Sequence, residues 1–468
     1  MSRPVLIALG VVGALLLGLC GVGGWLLFRV YDYPVVALRH EAAEAAAREA
    51  GLPWTAADLR PPEPVPAAQN AASDFLALHQ AVERVRQNPA ARARERDHAS
   101  RDPQVLARYL RDHAATLAAA ERMAAKPKLA MNRDWDLGPA LLFPEYASLR
   151  TAGRVLQARA SLRIIRGDLP GAFEDTTRIR RLARLAAEEP LIVGLLVGIA
   201  LHGIANASEE LLAAAWARQP RRLVALDAAI RRHGPPTGLL QALGGEFYFS
   251  LTVLRNADRY GGLETVLRAS KNRAPDPADL RRDGWPPGVR ERAVMVRVVE
   301  AWTGAWPELR RHAGDQARQE AVLRAVEERA EEGPGRSSAL AREALLLSPA
   351  SALAIAHAQA RDGALRGLIA ALRSWAATGR WPATLAAAGF DETDPFGRRY
   401  VLRAAGGTAL VYSLGSDGQD DGGVTLAEAR RARPGAEAQR GAPEAGERYD
   451  IPARFPPAPA RRPGGRGA

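Results

Sequence analysis

The chain has 468 residues, 47% of them hydrophobic and 25% charged, and carries a formal net charge of +12. These are the proportions of an ordinary globular protein with ample material for cores. Lys126, Lys128 and Lys271 are the only lysines, so the excess charge is arginine, and with the abundant alanine and glycine it matches the bias of a GC-rich bacterial genome. Arginine alternates with glutamate along helical stretches such as 318–332, the pattern of solvated faces with i,i+4 pairing. No basic stripe is interleaved with aromatic residues, which excludes nucleic acid as the expected partner. Cys20 is the single cysteine, which excludes an intrachain disulfide and a cysteine-based metal site.

The first element is apolar. Val5 to Phe28 contains no charge, and as a helix it spans about 36 Å, enough for a hydrocarbon core of about 30 Å. Arg3 precedes it, and Arg29, Tyr31 and Tyr33 follow it as interfacial anchors do. The run is longer than a signal-peptide core and lacks a good cleavage site, so an uncleaved single-pass anchor is expected over a cleaved signal or a lipoprotein. A short N-terminal tail favours the main body outside the cytoplasm. The expected location is therefore a bacterial inner membrane, with residues 1–35 as anchor and flank and the membrane as one partner. Gly10, Ala14 and Gly18 make a small-xxx-small stripe on this segment.

From residue 36 to 348 the pattern predicts helices. Val105, Leu106, Tyr109, Leu110, His113 and Leu117 recur at spacings of three and four. Proline and glycine punctuate the region, and residues 272–288 read as a loop between helical blocks. Residues 156–190 give a helix, a Gly167-Asp168 turn and a second helix before Pro190. This pair resembles one tetratricopeptide unit, and the region is expected to be an α-helical repeat-like bundle. Leu191–Ala205 is apolar but too short for a comfortable membrane span, so a buried core helix is expected.

No complete catalytic signature occurs in this region. The eight histidines are scattered, with no zinc-protease helix motif, nucleophile elbow or phosphate-binding glycine loop. His202 and Glu246, each inside an apolar helix, are the best acid–base candidates. Asp134 and Asp136 flank Trp135 as turn residues do.

Residues 364–423 change character. An amphipathic helix ends at Gly379, and Trp381-Pro382 breaks the chain. Asp394-Pro395-Phe396-Gly397 turns it. Tyr400-Val401-Leu402 and Leu410-Val411-Tyr412 form a hairpin, and the loop from Ser413 to Gly423 follows. Asp417, Asp420 and Asp421 place three carboxylates within five residues among glycines. A Ca2+ ion with six to eight oxygen ligands suits that pattern, although the spacing is not that of an EF-hand. An ordinary Asp-Gly turn is the alternative.

The order of helix, G-x-W-P step, D-P-F-G turn, antiparallel sheet and Y-S-x-G-x-D-G loop resembles the globular part of the major pseudopilin of type II secretion systems. The resemblance covers about residues 364–423 and implies that the loop binds calcium. It also implies a late acidic ligand, matched here by Asp450 in Tyr449-Asp450-Ile451. The chain departs from that family elsewhere. Residues 1–10 lack its processing site, and the helical region separates anchor from module.

The expected fold is mainly α: a transmembrane helix, the helical bundle, and a small α+β pilin-like module at 349–423, with 424–468 a mostly disordered tail in which Tyr449 to Phe455 can pair back onto the module. The expected metal residues are Asp417, Asp420, Asp421 and Asp450, with Ca2+ as the cofactor. The expected function is a non-catalytic envelope scaffold that binds a protein partner. An accessory component of a secretion or pilus-like apparatus and an envelope hydrolase are the alternatives. The anchor has a direct consequence: the full chain should resist carbonate extraction from membranes, and a chain beginning at residue 36 should be soluble. Persistent membrane association of the shortened chain would move the anchor elsewhere.

Overall fold

Apolar residues three and four apart become helices through most of the chain, as their spacing predicts. The computed structural model describes residues 33–61, 63–256, 289–331, 349–425, 428–429 and 449–456. The expected anchor at 5–28, the loop at 272–288 and the last twelve residues of the tail lie outside this set.

Among the described residues there are thirteen α-helices and three strands. The helices are α1 (Tyr33–Ala50), α2 (Ala72–Gln87), α3 (Pro89–Ala93), α4 (Pro103–Asp112), α5 (Ala114–Ala125), α6 (Glu145–Ile165), α7 (Leu169–Ala186), α8 (Ile192–Ala215), α9 (Pro220–Arg232), α10 (Leu239–Arg255), α11 (Val289–Arg311), α12 (Gln316–Glu331) and α13 (Pro349–Thr378). The strands β1 (Val401–Ala405), β2 (Thr408–Ser413) and β3 (Ile451–Phe455) make one antiparallel sheet in the order β1-β2-β3. The fold is mainly helical with a small sheet, as expected.

Local chemistry sets the α6–α7 turn. Gly167 adopts φ +81° after α6, the left-handed conformation that closes a helix. The Asp168 carboxylate then accepts from the Gly171 amide at 3.0 Å, and Pro170 occupies the first turn of α7. The following helix, α8, is long and apolar enough to cross a membrane by length and composition alone. It packs instead against α6 and α7. A Cβ on Gly194 would lie 2.4 Å from the Ala186 carbonyl oxygen, and one on Gly198 would lie 2.6 Å from that of Ala183. The glycines in this apolar run therefore let α8 rest on the backbone of α7, and the expectation of a core helix holds.

Three main cores result. One joins α1, α10, α11, α12 and the start of α13 around Trp54, Phe247, Trp302 and Ile355. A second joins α2, α5, α6, α7 and α8 around Phe75, Tyr146 and Leu182. The third joins the end of α8, α9, the later part of α13 and the sheet around Leu212, Leu226, Leu368 and Val411. Helix α13, with 30 residues, is about 45 Å long at 1.5 Å per residue. It contributes Ala352 and Ile355 to the first core and Ala364 to Leu372 to the third. Gly363 lets the sheet approach it, because a Cβ there would lie 1.9 Å from the Tyr400 hydroxyl.

These contacts revise the expected domain limits. The sheet module shares its core with α8 and α9, so residue 349 is not a boundary between separate units. The module also continues beyond 423. Residues 451–455, within the stretch of the tail expected to pair back onto the module, form β3 and pair with 409–413 of β2. Ala453 is fully buried there. The strand is short and flanked by arginines and prolines, and its partner lies about forty residues earlier.

A buried ionic cluster joins α7, α8 and α13. The Arg180 side chain has no exposed surface. It donates to Glu209 at 2.7 Å and 2.5 Å, to Asp362 at 3.0 Å and to the Asn206 side-chain oxygen at 2.7 Å. It also meets the His202 ring and the His233 carbonyl. Burial alone would raise the Asp362 carboxyl, but the charges of Arg180 and His202 hold it down at about 2. Its folded value lies below its unfolded one, so its contribution is complete above about pH 4 and is lost as pH falls toward 2. Asp362→Ala leaves Arg180 and Glu209 buried without their third charge. It is expected to destabilise the full chain by about 3–5 kcal/mol in chemical denaturation, and to flatten the acid limb of the stability profile. A loss within experimental error would mean that the cluster does not hold the helices together.

Candidate functional site

The sequence singled out the C-terminal loop, and the structure explains why its motifs occur together. Helix α13 closes at Gly379 with φ +70°. Trp381 stacks on Trp375 with centroids 5.3 Å apart, and its indole N–H donates to the Gly406 carbonyl at 2.9 Å. The buried Asp394 then takes three donors. One oxygen accepts from the amides of Phe396 and Arg398 at 3.0 and 2.8 Å, and the other accepts from the Ser413 hydroxyl at 2.7 Å. Ser413 in turn accepts from the Gly415 amide, and the Arg398 guanidinium donates to the Gly415 carbonyl. The D-P-F-G turn and the start of the loop are thus one hydrogen-bonded unit.

The four expected metal residues are placed differently from one another. Asp417 is exposed and accepts from the Gln419 amide at 3.1 Å. Asp420 accepts from the Tyr412 hydroxyl at 2.7 Å, from the Gly422 amide at 3.0 Å and from Arg403 at 2.8 Å. Asp450, just before β3, is 2% exposed. One of its oxygens accepts from the Gly423 amide at 2.7 Å, and the other is buried without a hydrogen-bond partner. Burial raises the Asp450 carboxyl to about 6, and the neighbouring Asp421 and Asp420 charges push the same way. The fold therefore carries Asp450 to the loop from twenty-seven residues beyond Gly423. The loop backbone turns with φ +71° at Gly418 and +75° at Gly422, a region that favours glycine. Among the described residues no three His, Cys, Asp or Glu side chains converge as a ready metal cage. The orphaned Asp450 oxygen beside Asp421 is the feature that suits a cation.

His357 was one of the scattered histidines and gave no signal in the sequence. In the structure its Nε2 lies 2.7 Å from the Tyr449 hydroxyl, and its ring meets Phe396 edge-on. Burial lowers it to about 4. It ties α13 to the residue that precedes Asp450.

The acid–base candidates of the helical region do not meet. Glu246 accepts from the Ile192 amide at 3.0 Å, at the N-terminus of α8. His202 lies ten positions further along that helix, about 15 Å away, inside the Arg180 cluster. Asp136 accepts from the Tyr248 hydroxyl at 2.6 Å, which fixes the turn around the buried Trp135.

Sequence reasoning missed a cleft of about 1080 Å3. Arg48, residues 51–55, 58–61, Glu63, Val65, 128–131, Trp135 and 188–190, the start of α10 and Trp306 of α11 line it. Leu52, Trp54, Trp135, Met131 and Trp306 give it an apolar lining. Five separate stretches of chain build it, so no local motif could have announced it. A scan of family models, a search of curated proteins and a search of solved structures each found nothing that matches this chain.

Burial raises the Glu246 carboxyl to about 7. Because the folded value exceeds the unfolded one, the protonated form stabilises the fold fully below about pH 4.5, and that stability is lost as pH rises through 7. Glu246→Gln keeps an acceptor for the Ile192 amide. It is expected to melt above the parent chain at pH 8, by at most about 3 kcal/mol, with the gap closing at pH 4. A pH-independent difference would show that burial of the carboxylate is not the cause.

Proposed function

We propose that the protein is a membrane-tethered, non-catalytic scaffold of the bacterial envelope. The observation that carries this reading is the use of its interior ionisable groups. His202 is bound into the Arg180 cluster, and Glu246 caps α8. Arg133 bridges Glu145 and Glu189, and Arg159 and Arg163 hold the buried Asp175. The Asp175 set joins α6 to α7, and the Arg133 set joins the segments after α5 and after α7 to the start of α6. Helix α13 then carries the sheet module on the same rigid frame. This arrangement supports presentation of surfaces to a partner over acid–base chemistry, and the charge-free run at 5–28 supplies the tether.

The resemblance of the module to a pseudopilin supports a place beside a secretion or pilus-like apparatus as the second reading. The linked Asp394–Ser413 unit and the approach of Asp450 to Asp421 favour it. In this reading Ca2+ is held by Asp421 and Asp450, with Asp417 and Asp420 as further oxygen donors, and neutralises carboxylates that otherwise repel.

Two measurements test these readings. Cross-linking of the full chain in native membranes, followed by identification of the attached protein, should give one defined partner. Catalytic turnover of a small molecule by the purified chain, abolished by one interior substitution, would replace the scaffold with an enzyme. Separately, excess calcium should raise the melting temperature of the full chain by a few degrees, since a ligand that binds only the folded state stabilises it. Asp421→Ala combined with Asp450→Ala should remove the gain. An unchanged melting temperature in the parent chain would sink the calcium assignment and leave the scaffold standing.

A further inference from the structure

Two neighbouring stretches carry exposed apolar side chains and almost no charge. Residues 137–144 contain no ionisable group, and within 190–208 the one ionisable residue is His202, which is bound into the Arg180 cluster. Leu142 is 75% exposed and Leu137 44%, and Val193 and Leu196 on the first turns of α8 are 36% and 41% exposed. Elsewhere among the described residues only five large apolar side chains are exposed. The contacts beneath these four place them on one surface. Leu141 and Phe143, on either side of Leu142, pack with Leu191, Tyr248 and Phe249. Phe143 meets Tyr146 edge-on at 6.3 Å, and the Tyr146 hydroxyl would lie 3.0 Å from a Cβ on Gly194. Along α8 the exposed positions after Leu196 are Ala200, Gly203 and Ala207, so its outer stripe stays apolar for about four turns.

Exposed charge near the patch is of both signs: Asp134 and Asp136 precede Leu137, and Arg150 follows on α6. That mixture selects neither an acidic nor a basic partner. The tether supplies the argument for what meets the surface. The apolar run ends at Phe28 and α1 begins at Tyr33, and the four residues between them, fully extended, reach about 14 Å. Helix α1 is close to the patch. His40, two turns along it, contacts the Met295 sulfur at 3.0 Å and meets Trp54 edge-on at 6.4 Å. Arg255, the last residue of α10, lies over the same Trp54 ring at 4.6 Å. Tyr248 and Phe249, about 9 Å earlier along α10, lie under the patch. Leu38 on α1 is itself 65% exposed. Exposed apolar patches mark protein or membrane contacts, and a body tethered this closely has a bilayer always within reach of this one.

We propose that residues 137–144 and the outer stripe of α8 rest on the bilayer surface, with Leu137, Leu142, Val193 and Leu196 seated at the boundary between headgroups and acyl chains. Burial of apolar area holds the contact, and headgroup charge does not. A single tether leaves the body free to turn, and this second contact fixes which way it lies. The proposal rests on the membrane-tethered reading and adds a peripheral attachment to it. Carbonate reverses such an attachment, so the tether alone decides extraction.

The test uses the full chain carrying Cys20→Ser, at one copy per phosphatidylcholine nanodisc, with a nitrobenzoxadiazole label on one introduced cysteine. Leu142→Cys and Leu196→Cys place the label on the patch, and Val224→Cys places it on α9, where the parent side chain is 46% exposed. Phosphatidylcholine bearing a nitroxide near the headgroup end of its acyl chain should quench the labels at 142 and 196 at least twofold more than the label at 224. Neither high salt nor added phosphatidylglycerol should change that ratio. Leu137→Asp together with Leu142→Asp changes exposed side chains, so an unaltered circular dichroism melt will show that the fold is intact, and it should at least halve the quenching at 196. Quenching at 142 and 196 no greater than at 224, or quenching at 196 that the double variant leaves unchanged, would overturn the proposal. So would quenching that requires phosphatidylglycerol, which would assign the contact to headgroup charge. Shielding of the labels that arises only with two copies per disc, without quenching by the lipid, would assign the patch to a second copy of the chain. Flotation with phosphatidylcholine vesicles after carbonate treatment tests the tether separately. A chain that floats with unquenched labels rejects the patch contact alone, whereas a chain that carbonate releases rejects the tether.

Discussion

Arg180 is held between carboxylates from two other helices, with no surface exposed to solvent. A guanidinium in that position is stable only if its charge and its donors are met, since desolvation of an unpaired ion costs several kcal/mol. Glu209, Asp362 and Asn206 meet them, and they come from α8 and α13. The same geometry fixes the register of α7, α8 and α13. That register places Gly363 against Tyr400 and brings the sheet onto α13 and the end of α8. The helical body and the C-terminal module are one structure because this cluster and the core beside it cross the line between them.

Rigidity of that kind has a functional meaning. A helix of 30 residues that belongs to two cores cannot hinge at its centre without opening both. The surfaces at its two ends therefore keep a fixed relation. Toward one end lies the core shared with α1 and α11, whose Trp54 and Trp306 line the cleft. Toward the other lies the sheet, with the Asp394–Ser413 unit and the Asp450 carboxyl. Such a frame is consistent with the proposed display of binding surfaces.

The C-terminal loop illustrates how far local pattern can be trusted. Turn chemistry predicted the helix stop at Gly379, the turn at Asp394 and the hairpin at 401–412, and each is present. These features depend on the conformational needs of a few adjacent residues, so they are written in adjacent letters. The loop's relation to Asp450 was legible only through resemblance to a known family. The strand that delivers Asp450 is short and bordered by arginine and proline, and no periodicity reveals it. His357 and Tyr449 were invisible as a pair for the same reason, being ninety-two positions apart.

Taken alone, the sequence determined what neighbouring residues decide: the helical character of the body, the capped turn at Gly167-Asp168, the core character of the glycine-bearing run at 191–205, and the turns of the module. Tertiary structure decided which charges are buried and which are free. Arg180 lies in an arginine-rich helix that reads as a solvated face, yet its partner Asp362 is 182 positions away. Glu188 and Glu189 beside the cleft read as surface acids until the Leu129 amide is seen to bind the first, and Arg133 and the Tyr146 hydroxyl the second. Hydrophobic period and turn preference act over a few residues, whereas a buried ion pair or a cleft forms only when distant segments close on one another, and nothing within a single segment records its eventual neighbour.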